Sequence, residues 1–359
     1  MLERLGSRLR VDAGSDRTVR AGSALLLPAF LIAVIVLVVV FYTATGTSYS
    51  IYLVDAILLA SIGAIALDLL MGTGGQVSIG NSAFLATGGF ATVWASRAGI
   101  SFPFDVIVGA FACAIGGFIV GLPALRIRGM YLALATLAAF YIATFIGTQY
   151  QTNTVGAGGF FLEPVFAGTL SQQHARWAWL LTAVLAATIV LAAWLRSGRS
   201  GRAWRMIRDH EVAASMMGIP VARYKLILFI ISSALIGIQG GLLAHFTSSV
   251  SADTYTLGAS IAVIAMILIG GLDSQAGPLI GALIVTMLPI VVPDILDALV
   301  SANTASNDAA GYAQVIYGAL IMIFIIAAPL GIVGLLGALR RRSMALLKKS
   351  SPIKLRTQN

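Results

Sequence analysis

The chain has 359 residues, 58% of them hydrophobic and 10% charged, with a net charge of +9. So little charge excludes an ordinary soluble domain, which carries about a quarter, and the recurring apolar runs make a lipid bilayer the solvent for most elements. The basic residues sit beside those runs, where orientation in a membrane needs them, which excludes a nucleic-acid surface as their main purpose. No run shows the strict alternation of an outer-membrane barrel. Cys113 is the only cysteine, so an intrachain disulfide is impossible.

In chain order, residues 1–22 read as a basic cytoplasmic tail. The run Leu25–Tyr42 (LLLPAFLIAVIVLVVVFY) exceeds the length of a signal-peptide core and follows acids as well as bases, so it is expected to span rather than to be cleaved. Ten apolar segments follow one another near 23–43, 52–70, 80–97, 104–124, 130–147, 176–196, 225–246, 256–272, 276–293 and 312–330. With the N-terminus inside and the chain alternating, 21 of the 23 basic residues fall on the cytoplasmic side, and only Arg97 and Arg176 fall outside. The expected fold class is an all-α polytopic membrane protein of about ten transmembrane helices with both termini cytoplasmic. Its membrane domain covers 23–339, and 340–359 is a basic tail. Polar outer loops are expected at 148–175 and 294–311.

Polar groups inside lipid need a reason. Asp68, near the end of the second segment, is a pathway residue or reaches the interface or Arg126. Gly72–Phe90 holds Gln76, Ser78, Asn81, Ser82 and Thr87 among six glycines. Two readings stand: broken helix lining a path for solute, or glycine-mediated helix packing. Thr136, Tyr141 and Thr144 would add hydroxyls if their loosely shared face looks inward. No chain of acids of the kind a proton-coupled pump uses is evident. His174, His210 and His245 lie on three separate segments without metal-ligand spacing and read as surface or interfacial. Asp294 and Asp297 follow Pro293 as a solvated cap. The first lysine is Lys225 and no Gly-Lys pair occurs, so the chain lacks a Walker-type phosphate loop.

The stretch 197–224 is the long charge-rich interior segment. In GRAWRMIRDHEVAASMMGIPVARYK (Gly201–Lys225), Arg202, Arg205 and Arg208 recur every third residue on a first short helix. Asp209 is a good N-cap for a second helix, with Glu211 in its first turn. Val212, Ala213, Met216 and Met217 form an apolar edge. Gly218 suits the left-handed residue after the helix, and Pro220 the start of the next. Such a helix lies on anionic headgroups or docks into a partner; small residues and methionines favour docking.

Four stretches in order resemble the LivM-type permeases, the branched-chain amino acid subfamily of ABC importers. They are GTGGQVSIGNSAFLATGGF (Gly72–Phe90), GLPALRIRGMYLALATLA (Gly121–Ala138), the segment just described with the helix after it, and GGLDSQAGPLIGA (Gly270–Ala282). The resemblance runs from about Leu58 to Gly334. Two departures stand out: Asp273 where the family more often has Gly, and AAPLGIVG without the bulky residue often found before its Pro-x-Gly. Thr152–Phe160 resembles a Thr/Gly-rich stretch of the family that either contacts a binding protein or is a flexible loop.

The resemblance implies an ABC importer permease fold in a bacterial inner membrane, working by alternating access. It implies a second homologous permease subunit, two ATP-binding cassette subunits that hold ATP and Mg, and an extracytoplasmic solute-binding protein. This chain itself would hold no cofactor and no metal and would not be an enzyme. Arg205, Arg208, Asp209, Glu211, Val212, Ala213, Met216, Met217 and Gly218 would form the coupling helix and its rim. Gln76, Ser78, Asn81, Thr87, Thr136 and Tyr141 would line the pathway. Branched-chain or other hydrophobic amino acids are the expected cargo, with urea, amides or aromatic acids as family alternatives. An ion-coupled transporter and a non-transporting scaffold are the rivals from other classes.

Overall fold

The computed structural model describes residues 26–124, 130–299, 318–319, 322 and 331–334. Helix α1 spans Leu26–Thr45. Helix α2, Ser48–Asp68, starts at Thr47, whose hydroxyl accepts from Ser50 N at 3.4 Å. A single π turn, Leu69–Thr73, continues it, and residues 74–80 then leave helical geometry before α3, Asn81–Arg97. Next come α4 (Phe104–Ala124), α5 (Met130–Val155) and α6 (Leu170–Ser197). Two short helices, α7 (Arg199–Asp209) and α8 (Glu211–Met216), precede α9 (Val221–Thr247), α10 (Leu257–Gly270) and α11 (Gly277–Leu299).

Apolar residues on every side make these helices stable only where no water competes for their backbone. Nine of the ten expected segments coincide with α1–α6 and α9–α11. Seven helices among the described residues are long and apolar enough to cross a membrane: α1, α2 with its π turn, α4, α5, α6, α9, and α10 with the turn before it. The tenth segment, 312–330, lies almost wholly outside the described residues, as do both tails and the Arg126–Gly129 turn. The loop expected at 148–175 is shorter, because α5 runs on to Val155 and α6 begins at Leu170. Within it, β1 (Phe160–Phe161) pairs antiparallel with β2 (Ser249–Val250), Phe160 opposite Val250. Likewise α11 continues through Asp294 and Asp297, which therefore sit inside a helix rather than capping it.

The larger of two buried clusters joins α1–α4, α6, α7 and α9 around Ile62, Leu69, Leu181, Trp204 and Phe229. The smaller joins α2, α10 and α11 through Leu67, Met266, Ile267 and Val285. Lipid supplies no hydrophobic pull between helices, so close backbone approach has to replace it. At α3–α9 it does: a Cβ on Gly88 would lie 2.5 Å from Gly237 O, and one on Gly240 would lie 2.3 Å from Leu85 O. Cys113 of α4 fills the space beside Gly237 and donates to Phe84 O at 3.0 Å, a buried structural thiol.

The end of the bundle away from α7 and α8 holds two carboxylate–histidine pairs. Asp105 and His245 meet at 2.6 Å, and His174 lies 3.5 Å from Asp55. Tyr52, Phe102, Trp177 and Phe246 surround them with edge-on and stacked rings. Of the histidines read as surface or interfacial, His210 is exposed and His174 half-buried, whereas His245 is buried, which corrects its reading. The Asp105 carboxylate gives the buried His245 ring a hydrogen-bonding partner, which makes its burial tolerable.

Candidate functional site

The α7–α8 hairpin is seated by its apolar side. Trp204 and Ile207 of α7 are buried, and Trp204 Nε1 donates to Tyr224 O at 2.8 Å, tying the hairpin to the start of α9. The break between the helices falls at His210, whose extended backbone (φ −150°, ψ 88°) stops α7. Asp209 therefore ends α7 instead of capping α8, and its carboxylate accepts from Arg208 Nε at 3.1 Å. The reason is competition. A guanidinium next door satisfies the carboxylate better than a distant N–H.

Helix α8 ends as the glycine forecasts. Gly218 has φ +80°, its N–H donates to Ser215 O at 3.0 Å, and Ile219 N donates to Ala214 O at 3.1 Å. This is the Schellman arrangement, and Pro220 follows as the N-cap of α9. Ala214 is the residue of α8 that faces inward. Val212, Met216 and Met217 are 57%, 83% and 71% exposed, and Ala213 is exposed beside them. Glu211 accepts from Lys225 Nζ at 2.8 Å, which ties α8 to α9.

The expected rim arginines bond back to the bundle, with Arg208 still exposed. Arg205 Nη2 donates to Arg196 O at 2.8 Å, satisfying a carbonyl at the end of α6. Arg208 Nη1 donates to Gly72 O, and to Asp273 Oδ2 at 3.0 Å. Partial burial works against its charge, but the hydrogen bonds and charges of Asp209 and Asp273 outweigh that and raise its pKa above the usual arginine value. Deeper in, Arg196 Nη2 donates to Asp68 Oδ2 at 2.5 Å, its Nε to Thr73 Oγ1 at 3.2 Å and its Nη1 to Ser274 O at 3.0 Å. Asp68 Oδ1 accepts from Asp273 N at 2.9 Å, and Thr73 Oγ1 donates to Asp273 Oδ1 at 3.0 Å. Asp68 thus finds Arg196 in the buried interior, while Arg126 lies outside the described residues. In the sequence, Arg196 reads only as a topological charge.

The interruption after α2 gathers most of the expected pathway residues. Gln76, Ser78, Asn81 and Thr136 are all buried. Gln76 Nε2 donates to Lys225 O at 3.2 Å, and Thr136 Oγ1 accepts from Ile79 N at 3.0 Å. Among the described residues, neither amide atom of the buried Asn81 has a hydrogen-bond partner. Ser82 N donates to Ser260 Oγ at 2.8 Å, and Ser82 Oγ donates to Thr256 O at 2.8 Å, so the first turns of α3 and α10 meet here. Thr87 bonds back to Ala83 O at 2.7 Å and borders a groove of about 530 Å³ between α3, α4 and α5, lined by Phe84, Phe90, Trp94, Ile119 and Ile142. Tyr141 stands apart at 61% exposed on another face of α5. Gly72–Phe90 thus contains both a helix break, at residues 74–80, and close glycine packing, at Gly88. The Thr152–Phe160 stretch is the end of α5, a single 3₁₀ turn and strand β1.

Among the described residues, seven helices long and apolar enough to cross a membrane, an interrupted helix in the core and a short helix with an exposed apolar edge at one end mark a multi-span membrane protein. Residues 48–325 match the family described as branched-chain amino acid transport system / permease component, and the chain belongs to that family. It is 27% identical to the high-affinity branched-chain amino acid transport system permease protein LivM of Escherichia coli (strain K12), over 87% of this chain and 76% of that protein. It is also 27% identical to LivH of the same strain, a permease protein of the same system, over 58% of this chain and 66% of that one. Among solved structures it aligns with PsaBC from Streptococcus pneumoniae in complex with Fab, at 13% identity and a TM-score of 0.43, covering 81% of this chain and 95% of that one.

Proposed function

We propose that this chain is one transmembrane subunit of an ATP-driven importer in a bacterial inner membrane, carrying branched-chain or other hydrophobic amino acids. In this reading it has ten spans with both termini in the cytoplasm, and the α7–α8 hairpin is cytoplasmic. The observation that carries the reading is the edge formed by Val212, Ala213, Met216 and Met217. It is apolar, exposed, closed by a glycine terminator and fixed to the bundle on its other side. Such an edge suits a groove on an ATP-binding partner, and soft methionines suit a groove that changes shape.

Hydrolysis belongs to that partner, since this chain has no Walker-type loop. Two ATP-binding subunits, a second related permease and an extracytoplasmic solute-binding protein complete the assembly, with the pore between the two permeases working by alternating access. The buried polar groups of Ser78, Asn81 and Thr136 at the helix interruption, and an apolar groove bordered by Thr87, support a path for a small solute with both polar and apolar parts.

The test is gentle purification from the native membrane, identification of what accompanies the chain, and reconstitution of what is found. Stoichiometric Walker-type ATPases, a second permease and ATP-dependent uptake of leucine or valine are expected. A chain that comes out alone and moves solute on an ion gradient would refute the reading. The buried pairs Asp55–His174 and Asp105–His245 would then be the residues to examine.

A further inference from the structure

The hairpin is seated in the larger cluster through Trp204, whereas α10 and α11 are built on the smaller one. The turn joining α10 to α11 reaches across. Asp273 on that turn holds φ +54°, a left-handed conformation that a non-glycine residue adopts only when its surroundings hold it there. Its surroundings do: Oδ2 accepts from Arg208 of α7 at 3.0 Å, Oδ1 accepts from Thr73 at 3.0 Å, and its N–H donates to Asp68 at 2.9 Å. The next residue, Ser274, accepts from Arg196 through its carbonyl at 3.0 Å and from Gly277 N, which starts α11, through its hydroxyl oxygen at 2.7 Å. Two arginines of the α6–α7 corner therefore grip one turn of the other helix group. A Cβ on Gly72 would lie 2.6 Å from Asp273 N, so the approach is as close as backbone permits.

We infer that Asp273, with Arg208, is a positioning latch that makes the α10–α11 pair follow the α7–α8 hairpin when a cytoplasmic partner moves it. The inference rests on the coupling role proposed above. Arg208 is four residues before Val212, the first residue of the exposed α8 edge, with only the break at His210 between the two helices, so a push on that edge arrives at Asp273 through one short segment. A rigid ion pair transmits displacement in both directions, whereas an apolar contact in lipid can slide.

The experiment uses the complete transporter in proteoliposomes and measures leucine moved per ATP hydrolysed. Asp273→Gly removes the carboxylate while suiting the left-handed backbone, so the fold is retained. Asp273→Asn keeps a neutral acceptor. For Asp273→Gly, assembly and ATP hydrolysis within about twofold of wild type and at least about tenfold less solute per ATP are expected. Asp273→Asn should fall between, and Arg208→Ala combined with Asp273→Gly should be no worse than Asp273→Gly alone, because both remove one link. Unchanged solute per ATP in Asp273→Gly overturns the latch. So does a loss of assembly and hydrolysis that accounts for the whole transport defect, which marks a merely structural contact. A wild-type complex without ATP-dependent uptake instead removes the coupling role, and the latch with it.

Discussion

Replacing Gly218 by valine tests the coupling helix with little else disturbed. A Cβ at this position meets nothing within 4 Å, so the substitution introduces no clash, and its whole effect comes from the backbone at φ +80°. Holding an L-residue in the left-handed region costs about 1–2 kcal/mol, with β-branched side chains at the upper end. Two terminal bonds, Gly218 N to Ser215 O and Ile219 N to Ala214 O, depend on that conformation. A six-residue helix has little reserve. If its end is held by about 1 kcal/mol, a cost of about 2 kcal/mol lowers the docking-competent fraction from about 0.85 to about 0.15 and weakens apparent partner affinity about fivefold. The assay is titration of the ATP-binding partner onto the permease in nanodiscs, alongside uptake in vesicles. Gly218→Asn is the control, since Asn tolerates the left-handed region, and should stay within about twofold of wild type. A well-folded valine variant that binds and transports like wild type would refute the reasoning.

Met216→Asp combined with Met217→Asp should abolish co-purification of the partner, at a cost of about tenfold or more in affinity, while leaving the melting temperature of the isolated chain unchanged, because both side chains are largely exposed there. Arg196→Met leaves the Asp68 carboxylate buried without its cation and should destabilise the chain by about 3–5 kcal/mol in thermal denaturation. Asp68→Leu together with Arg196→Met should recover much of that loss, and equal melting of single and double variants would show that the pair carries no such energy. Gly240→Val would push a side chain onto Leu85 O and should cost well over 1 kcal/mol, seen as loss of monodisperse protein. Gly158→Ala, with open space around it, should be neutral.

What was legible in the sequence was what local chemistry decides. Gly218 and Pro220 announced the end of α8 and the start of α9, because a left-handed terminator and a proline each need only their neighbours. The apolar edge of α8 was equally local. Asp209 misled because its competitor, Arg208, is itself fixed by Asp273, which is 65 residues away in sequence. The pairs Asp68–Arg196 and Asp105–His245 join residues 128 and 140 positions apart, and no periodicity foretells such a meeting. Tyr141 failed for a geometric reason. Five residues from Thr136 is about 140° around a helix, so the two share no face. Gly72–Phe90 stayed ambiguous because glycine serves broken helix and tight packing alike, and here it does both.

The glycine contacts between α3 and α9 also bear on how the chain is made. Gly88 and Gly237, which touch through bare backbone, are about 150 residues apart in the sequence. At ordinary ribosomal speed α3 waits roughly 10–30 s in the membrane before its counterpart is synthesised. During that interval its small-residue stripe is open to any other helix with a similar face. The narrow fit that finally joins them leaves few side-chain rotamers to freeze, so the late arrival of α9 completes the bundle at low entropic cost.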